Sequence, residues 1–297
     1  MKSSSQPGRP AKAAEPARLS GSRVFWLRLR GSPGGILGVA VFLAWVTVAL
    51  FAPLLAPYEY TGFHPQDRYQ PPSTTYVFGT DQYGRDMFSR VVMGSRSILT
   101  VAVGVAVIST ALGILLGFIS GYFGGLWDEL LMRLVDILMS LPALLLASVV
   151  LGVLGKPGIG SLMVIIALVF APRTARVSRG VVLEIKNREF VDAGRLQGES
   201  HVFLMFHEIF PNTLGPIVVE GTARFAYAIM TIASLGFLGI GLQPPTPDWG
   251  YMIAEYKTIV FLAPWTVIFP ALAIASLIIG VSLFADFANR SLRRNWD

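Results

Sequence analysis

Charged residues are spaced so unevenly along this chain that six stretches of about bilayer length carry none. They run Ile36–Tyr58, Ser97–Trp127, Ile137–Gly155, Pro157–Pro172, Phe225–Pro247 and Thr258–Ala285. An α-helix rises about 1.5 Å per residue and a hydrocarbon core is about 30 Å thick, so about 20 apolar residues suffice to cross it. The pattern predicts an all-α membrane protein with six transmembrane helices. The fourth stretch is short, and Arg173 and Arg176 lie where they can snorkel from its end to the interface.

Between these stretches the polar segments divide the chain. Residues 1–35, rich in Ser, Pro, Gly and Ala, read as a disordered tail. Residues 59–96 read as an external segment holding three prolines and the string GTDQYGRDMFSR. LQPPTPDWGYMIAEYK predicts a turn and an amphipathic helix on the same outer face. Within the second stretch, Gly113, Gly117 and Gly121 recur every four residues, which clears one helical stripe for the close approach of another backbone. Pro142 removes a helical donor and is expected to kink the third span, a candidate for fixed curvature or for gating.

Composition supports the membrane reading: 53% of residues are hydrophobic, 14% are charged and the mean hydropathy is +0.59. A water-soluble domain carries about 25% charged residues. The 24 Lys and Arg exceed the 18 Asp and Glu, giving a formal charge of +6. Their placement identifies the cause. Seventeen basic residues fall in the two tails, the 173–208 segment and the loop after the second span, against six on the opposite side, where six acidic residues match them. Basic residues collect on the cytoplasmic side, so both termini are expected there, and nucleic acid is not needed to explain the charge. The absence of cysteine excludes disulfides and thiolate chemistry.

The segment from Arg173 to Arg224 is expected to leave the membrane as a 52-residue cytoplasmic loop of short helices. Its pattern predicts an amphipathic run over Glu184–Leu196, a break at Gly198, a second helix over Ser200–Phe210 and a stop at Pro211. Phe190, Ala193 and Leu196 form an apolar ridge beside Asp192, Arg195 and Glu199. Such a ridge suits insertion into a groove, and a helix lying on the membrane surface has the same pattern.

In this loop the chain resembles the inner-membrane permease subunits of ABC transporters that import dipeptides, oligopeptides and, in some members, nickel or glutathione, the DppC/OppC-like type. Asp192, Ala193 and Gly194 stand in the place of the Glu-Ala-Ala of the EAA-type loop, and Gly198 matches its glycine. His207, Pro211 and Asn212 match the end of the loop. Aspartate for glutamate and glycine for alanine keep the charge and the small size. GTDQYGRDMFSR, DILMSLP and SLGFLGIGLQPPTPDWG extend the resemblance from about Ile36 to Arg294. It implies the type I ABC importer permease fold over 36–297. It also implies that the 190–198 helix couples to a cytoplasmic ATPase, with His207, Pro211 and Asn212 in support. The expected partners are a second permease subunit, two ATP-binding subunits, an external solute-binding protein and membrane lipid in the cell's inner membrane. No cofactor is expected on this chain, with ATP and Mg in the partner subunits.

No catalytic site is legible. GVLGKPG lacks the spacing and hydroxyl residue of a phosphate-binding loop. His64, His201 and His207 have no metal-ligand spacing, and no nucleophile elbow occurs. Asp136, Glu220 and Asp286 lie near expected cytoplasmic helix ends, which gives little support to a proton or sodium relay. The leading expectation is half of the translocation pathway of an ATP-driven importer working by alternating access. The alternative is a stand-alone channel or ion-coupled carrier, for which a deep charge, inverted repeat or pore-like ring would argue.

Overall fold

A computed structural model describes residues 29–155 and 158–293. Residues 1–28, which hold most of the expected disordered tail, lie outside them, as do Lys156, Pro157 at the start of the fourth stretch, and residues 294–297. The described residues are helical apart from turns, loops and one extended segment before Met87. Among them, five helices are long and apolar enough to cross a membrane, or six if one bent pair counts as a span.

Helix α1 (Pro33–Leu50) starts where Ser32 accepts the Gly35 N–H at 3.2 Å and Pro33 occupies the first turn, which needs no donor. A short α2 (Ala52–Leu55) leads into the extended segment. Helix α3 (Met87–Phe123) begins ten residues before the charge-free stretch. Asp86 caps it through the Ser89 N–H at 2.8 Å, and Arg90 is neutralised by ion pairing, so the charges there do not prevent helix. Gly124 and Gly125, both with positive φ, turn the chain into α4 (Gly125–Met139).

The third predicted span falls on two helices. Between α4 and α5 (Ala143–Leu154) the axis bends by 84° at Ser140–Pro142, so Pro142 stands at a break between two helices. A proline has no N–H to continue α4, and its fixed φ suits the start of α5. The fourth span is longer than expected: α6 (Ile159–Ile185) continues through Pro172 and past the arginines. Its buried face, Ala171, Ala175, Ser178, Val182 and Ile185, keeps helical spacing, whereas Arg173 and Arg176 project from the other side.

Helix α7 (Glu189–Leu196) is separated from α6 by a turn, so the expected Glu184–Leu196 run is divided. Helix α8 (His201–Phe203) passes through a π-helical stretch, Leu204–Ile209, into α9 (Phe210–Phe237). Pro211 therefore does not stop the helix. The widened turn immediately before it accommodates the missing donor and the ring. A short α10 (Trp249–Tyr256) and the long α11 (Trp265–Arg293) complete the chain.

The main packing seam joins α3 to α6. A Cβ built on Gly117 would lie 2.5 Å from the Ala175 carbonyl oxygen and 2.6 Å from Ser178 Cβ, and one on Gly121 would lie 3.0 Å from Val182. Gly113 faces Thr174 and Ala175 in the same way. Helices α1 and α11 form a second seam, where Gly38 meets the Phe284 backbone and Phe42 stacks on Phe284 at 5.9 Å. Trp249 and Tyr256 are fully buried, which fixes α10 against the bundle, and the Trp249 indole donates to the Val91 carbonyl at 2.9 Å.

The segment between α2 and α3 closes over the bundle through a buried charge cluster. Asp81 Oδ2 accepts from Arg85 Nε at 2.6 Å, Arg90 at 2.7 Å and the Tyr256 hydroxyl at 2.7 Å, while its Oδ1 accepts backbone N–H groups of Tyr83 and Arg85. Glu255 adds a second carboxylate, 3.2 Å from Arg85 and 3.6 Å from Arg90.

Beside it, Asp248 caps α10 by accepting the Tyr251 N–H at 2.9 Å. Burial pushes its carboxyl up to about 6 from the ordinary 3.8, against the opposing pull of backbone donors at Tyr251, Gly250 and Leu242. A raised carboxyl favours the folded state while protonated. This contribution is therefore full below the ordinary value and is lost as pH rises to about 6. The expected result is a decline of up to about 3 kcal/mol across that window. Thermal unfolding of the detergent-solubilised protein between pH 4 and 7 tests it, and Asp248→Asn should remove the decline.

Candidate functional site

Helix α7 is held by one side of its short barrel. Val191 is 0% exposed and enters a cluster with Phe118, Tyr122, Val182, Ile185, Leu204, Ile209 and Ile217. Gly194 lies against Leu204, whose methyl group would be 2.7 Å from a Cβ at that position. Among the described residues no element covers the opposite side. Phe190 is 40% exposed, Leu196 is 90% exposed, and Ala193 is exposed between them. Asp192 and Arg195 pair at 2.8 Å along this outer side, a solvent-exposed contact that contributes little to stability.

The end of α7 is set by backbone geometry. Gly198 has φ +80°, and its N–H donates to the Arg195 carbonyl at 3.0 Å. A left-handed residue at a helix end is the position where glycine carries no Cβ penalty. Ser200 then caps the next helix through the Phe203 N–H at 3.2 Å. The His207 ring stacks on Phe203 at 4.5 Å, and Asn212 donates to the Glu208 carbonyl at 2.6 Å. Thus His207, Pro211 and Asn212 sit together around the π-helical stretch rather than against α7 itself.

Several residues that position α7 were not singled out from the sequence. The Tyr122 hydroxyl and His201 Nδ1 hydrogen-bond at 2.8 Å, and Lys186 donates to the Gly121 carbonyl at 2.7 Å. Arg179 grips Asp128 through two bonds of 2.6 and 2.7 Å, joining α6 to the first turn of α4, and Ser120 also donates to Asp128. Arg176 meets Asp136 at 2.5 Å one turn further along. The sequence offered one clue to this set. Arg176 and Arg179 recur at helical spacing, as do their acidic partners, but only the return of α4 along α6 brings the two series together. Consequently α7 rests on the ends of α3 and α6 and connects through the π-helical stretch to α9.

Comparison with known proteins places the chain in a family. Residues 113–294 match the family described as the binding-protein-dependent transport system inner membrane component, and residues 20–72 match the N-terminal TM domain of oligopeptide transport permease C. The dipeptide transport system permease protein DppC of Alkalihalophilus pseudofirmus is 36% identical over 286 residues, covering 95% of this chain and 92% of that protein. The di/tripeptide transport system permease protein DppC of Pseudomonas aeruginosa is 37% identical, covering 93% of each chain. The glutathione transport system permease protein GsiD of Escherichia coli is 38% identical, covering 88% of this chain and 86% of that protein. The chain belongs to the family of binding-protein-dependent inner-membrane transport permeases, and is a multi-pass membrane protein of the ABC-importer type.

Proposed function

We propose that this chain forms half of the translocation pathway of an ATP-driven importer for di- or oligopeptides or similar solutes, working by alternating access. The observation that carries the reading is α7, a helix with one side anchored by Val191 and an uncovered ridge of Phe190, Ala193 and Leu196. Docked in a cleft of an ATP-binding subunit, that ridge would move with the ATPases as they close. Asp192, Arg195 and Gly198 would fix its direction, while His207, Pro211 and Asn212 would maintain the link to α9. In this reading the bent α4–α5 pair is the third of six spans, both termini are cytoplasmic, and Pro142 marks the place where α5 can pivot. A second permease subunit covers the apolar faces left exposed along the bundle, two ATP-binding subunits bind ATP and Mg, and an external binding protein delivers the solute. The relatives act on dipeptides, tripeptides and glutathione by name, which supports a small peptide as the solute.

Charge reversal by Asp192→Arg and backbone restriction by Gly198→Pro test the coupling role. Proline fixes φ near −65° and lacks an N–H, so it fits neither the +80° backbone nor the bond to Arg195. Both variants are expected to reach the membrane with ATP-driven uptake reduced at least about tenfold, a loss of about 1.4 kcal/mol in coupling. Uptake and ATP hydrolysis measured side by side in proteoliposomes check this. Normal uptake by both variants would remove the coupling assignment.

A further inference from the structure

Resting on the importer reading, we propose that Arg173 and Tyr227, backed by the buried Arg224, form an anion-binding point inside the passage, where the carboxylate of a crossing solute is held. Arg173 lies fourteen residues from the start of α6 at Ile159, and Arg224 lies thirteen from the end of α9 at Phe237. Both are therefore about 20 Å in from the outer helix ends, and the two helices place them at one depth.

The charges at that depth do not balance. The Arg173 and Arg224 guanidinium groups lie 6.0 and 4.9 Å from the centre of the same Tyr227 ring. Glu220 is the carboxylate beside them, with its Oε1 2.9 Å from Arg224 Nε. The orientation of that contact is not that of a hydrogen bond, so Arg224 Nε, on a side chain 5% exposed, has no hydrogen-bond acceptor. The neighbouring Asp136 is occupied by Arg176. Arg173 is exposed and has no carboxylate partner among the described residues. Two cations and one anion leave a net positive charge near the middle of α6 and α9, the helices that the structure extends beyond the uncharged stretches.

An intramembrane cation of this kind faces protein or a water-filled space, because hydrocarbon solvates it poorly. The surface beside it is an open cleft. Met230, Ser234 and Phe237 continue outward along α9 from Tyr227 and line a cavity of about 450 Å³ whose other wall includes Ile253 and Ile274. The cavity starts one turn outward from Tyr227, so a solute with an anionic end and apolar side chains would set the first at Arg173 and the second in the cavity. Arg173 supplies a planar pair of donors for a carboxylate, Tyr227 supplies a hydroxyl and a ring, and Arg224 adds positive potential from beneath.

The lack of cysteine in this chain permits a direct test: the whole complex is labelled in native membrane vesicles, and modification is then read on this chain alone after its tagged form is isolated in denaturant. Single thiols are introduced by Tyr227→Cys and, one turn outward, Met230→Cys. Their modification rates are compared for a negatively charged sulfonatoethyl and a positively charged trimethylammonioethyl methanethiosulfonate. The expected result is reaction at Met230→Cys with the anionic reagent favoured at least about fivefold, and loss of that preference when Arg173→Gln is added. Tyr227→Cys provides the same reading if Met230→Cys fails to accumulate. Failure of both thiols to react, as expected if Arg173 meets a lipid headgroup or a partner subunit's carboxylate, overturns the site. A preference unchanged by Arg173→Gln also overturns it. Adding ATP and vanadate separates the two levels of the argument: rates unaffected by nucleotide count against alternating access, while the charge preference by itself decides the anion site.

Discussion

Replacing Gly117 by leucine is expected to prevent the protein from accumulating as a folded membrane complex. The new Cβ alone would stand 2.5 Å from the Ala175 carbonyl oxygen, 2.6 Å from Ser178 Cβ and 2.8 Å from the Arg179 backbone nitrogen. Two of those three atoms are backbone, so the overlap is relieved only by moving α3 away from α6. Close helix approach of this sort is the main source of association where lipid removes the hydrophobic driving force between helices. Overpacking typically costs about 1–3 kcal/mol at a site that can relax. The seam has little scope to relax, since Gly113 and Gly121 lie against the same helix and the separation would extend to the Lys186–Gly121 and Arg179–Asp128 bonds. Fluorescence-detected size-exclusion chromatography of a tagged variant checks the result: aggregated or absent protein is expected, and a wild-type peak would show that the seam tolerates a side chain. Gly180 faces open space, so Gly180→Ala is the matched control and should give the wild-type profile.

The second large effect is expected from Asp81→Asn. The replacement keeps the shape of the side chain but turns one acceptor into an NH2 group, facing the Arg85, Arg90 and Tyr256 donors that now converge on Oδ2. Glu255 alone would then balance two largely buried guanidinium groups. Removing one member of a buried ion network costs about 3–5 kcal/mol, because the remaining charges stay out of water without compensation. The apparent melting temperature should fall by about 10 °C. Tryptophan fluorescence should report the loosening, as Trp265 donates to the Thr80 carbonyl at 3.0 Å within the same segment. Equal melting of wild type and variant would mean that the segment before α3 is held by its aromatic contacts, such as Phe78 on Phe269, and not by charge.

The pH behaviour of this cluster has the opposite sign to that of Asp248. Burial raises the Asp81 carboxyl, but Arg90 and Arg85, helped by the Tyr256 hydrogen bond, outweigh burial and hold it below the ordinary 3.8. Its stabilisation is thus complete at neutral pH and is lost only as pH falls through that depressed value. The two aspartates therefore act in separate windows, Asp81 below pH 4 and Asp248 between about 4 and 6.

Reading charge-free stretches located the helical hydrophobic segments well and their ends poorly. The reason is visible at Arg90 and at Arg173. A scan for uncharged residues ends at the first arginine, whereas a helix ends where its hydrogen bonding and packing end. Arg90 lies inside α3 because Asp81 and Glu255 neutralise it, and α6 passes Arg173 because its buried face continues to Ile185. Pro211 misled in the same way, since a π-helical stretch in front of it permits continuation.

By itself the sequence determined the class of protein. Its long uncharged runs fit the thickness of a bilayer, the glycines at 113, 117 and 121 mark a face for close packing, and Phe190, Ala193 and Leu196 share one side of a short helix terminated at Gly198. These features depend on spacing along one chain, which helical periodicity converts directly into position. Tertiary structure alone decided that Val191 anchors this helix, that Tyr122 meets His201 across 79 positions, that Arg85 and Arg90 converge on Asp81 and Tyr256, and that Arg173 and Arg224 share one aromatic ring at one depth. Such contacts join residues far apart in the chain, and their pairing is selected by the energy of burying charge and fitting side chains together, for which local periodicity carries no signal.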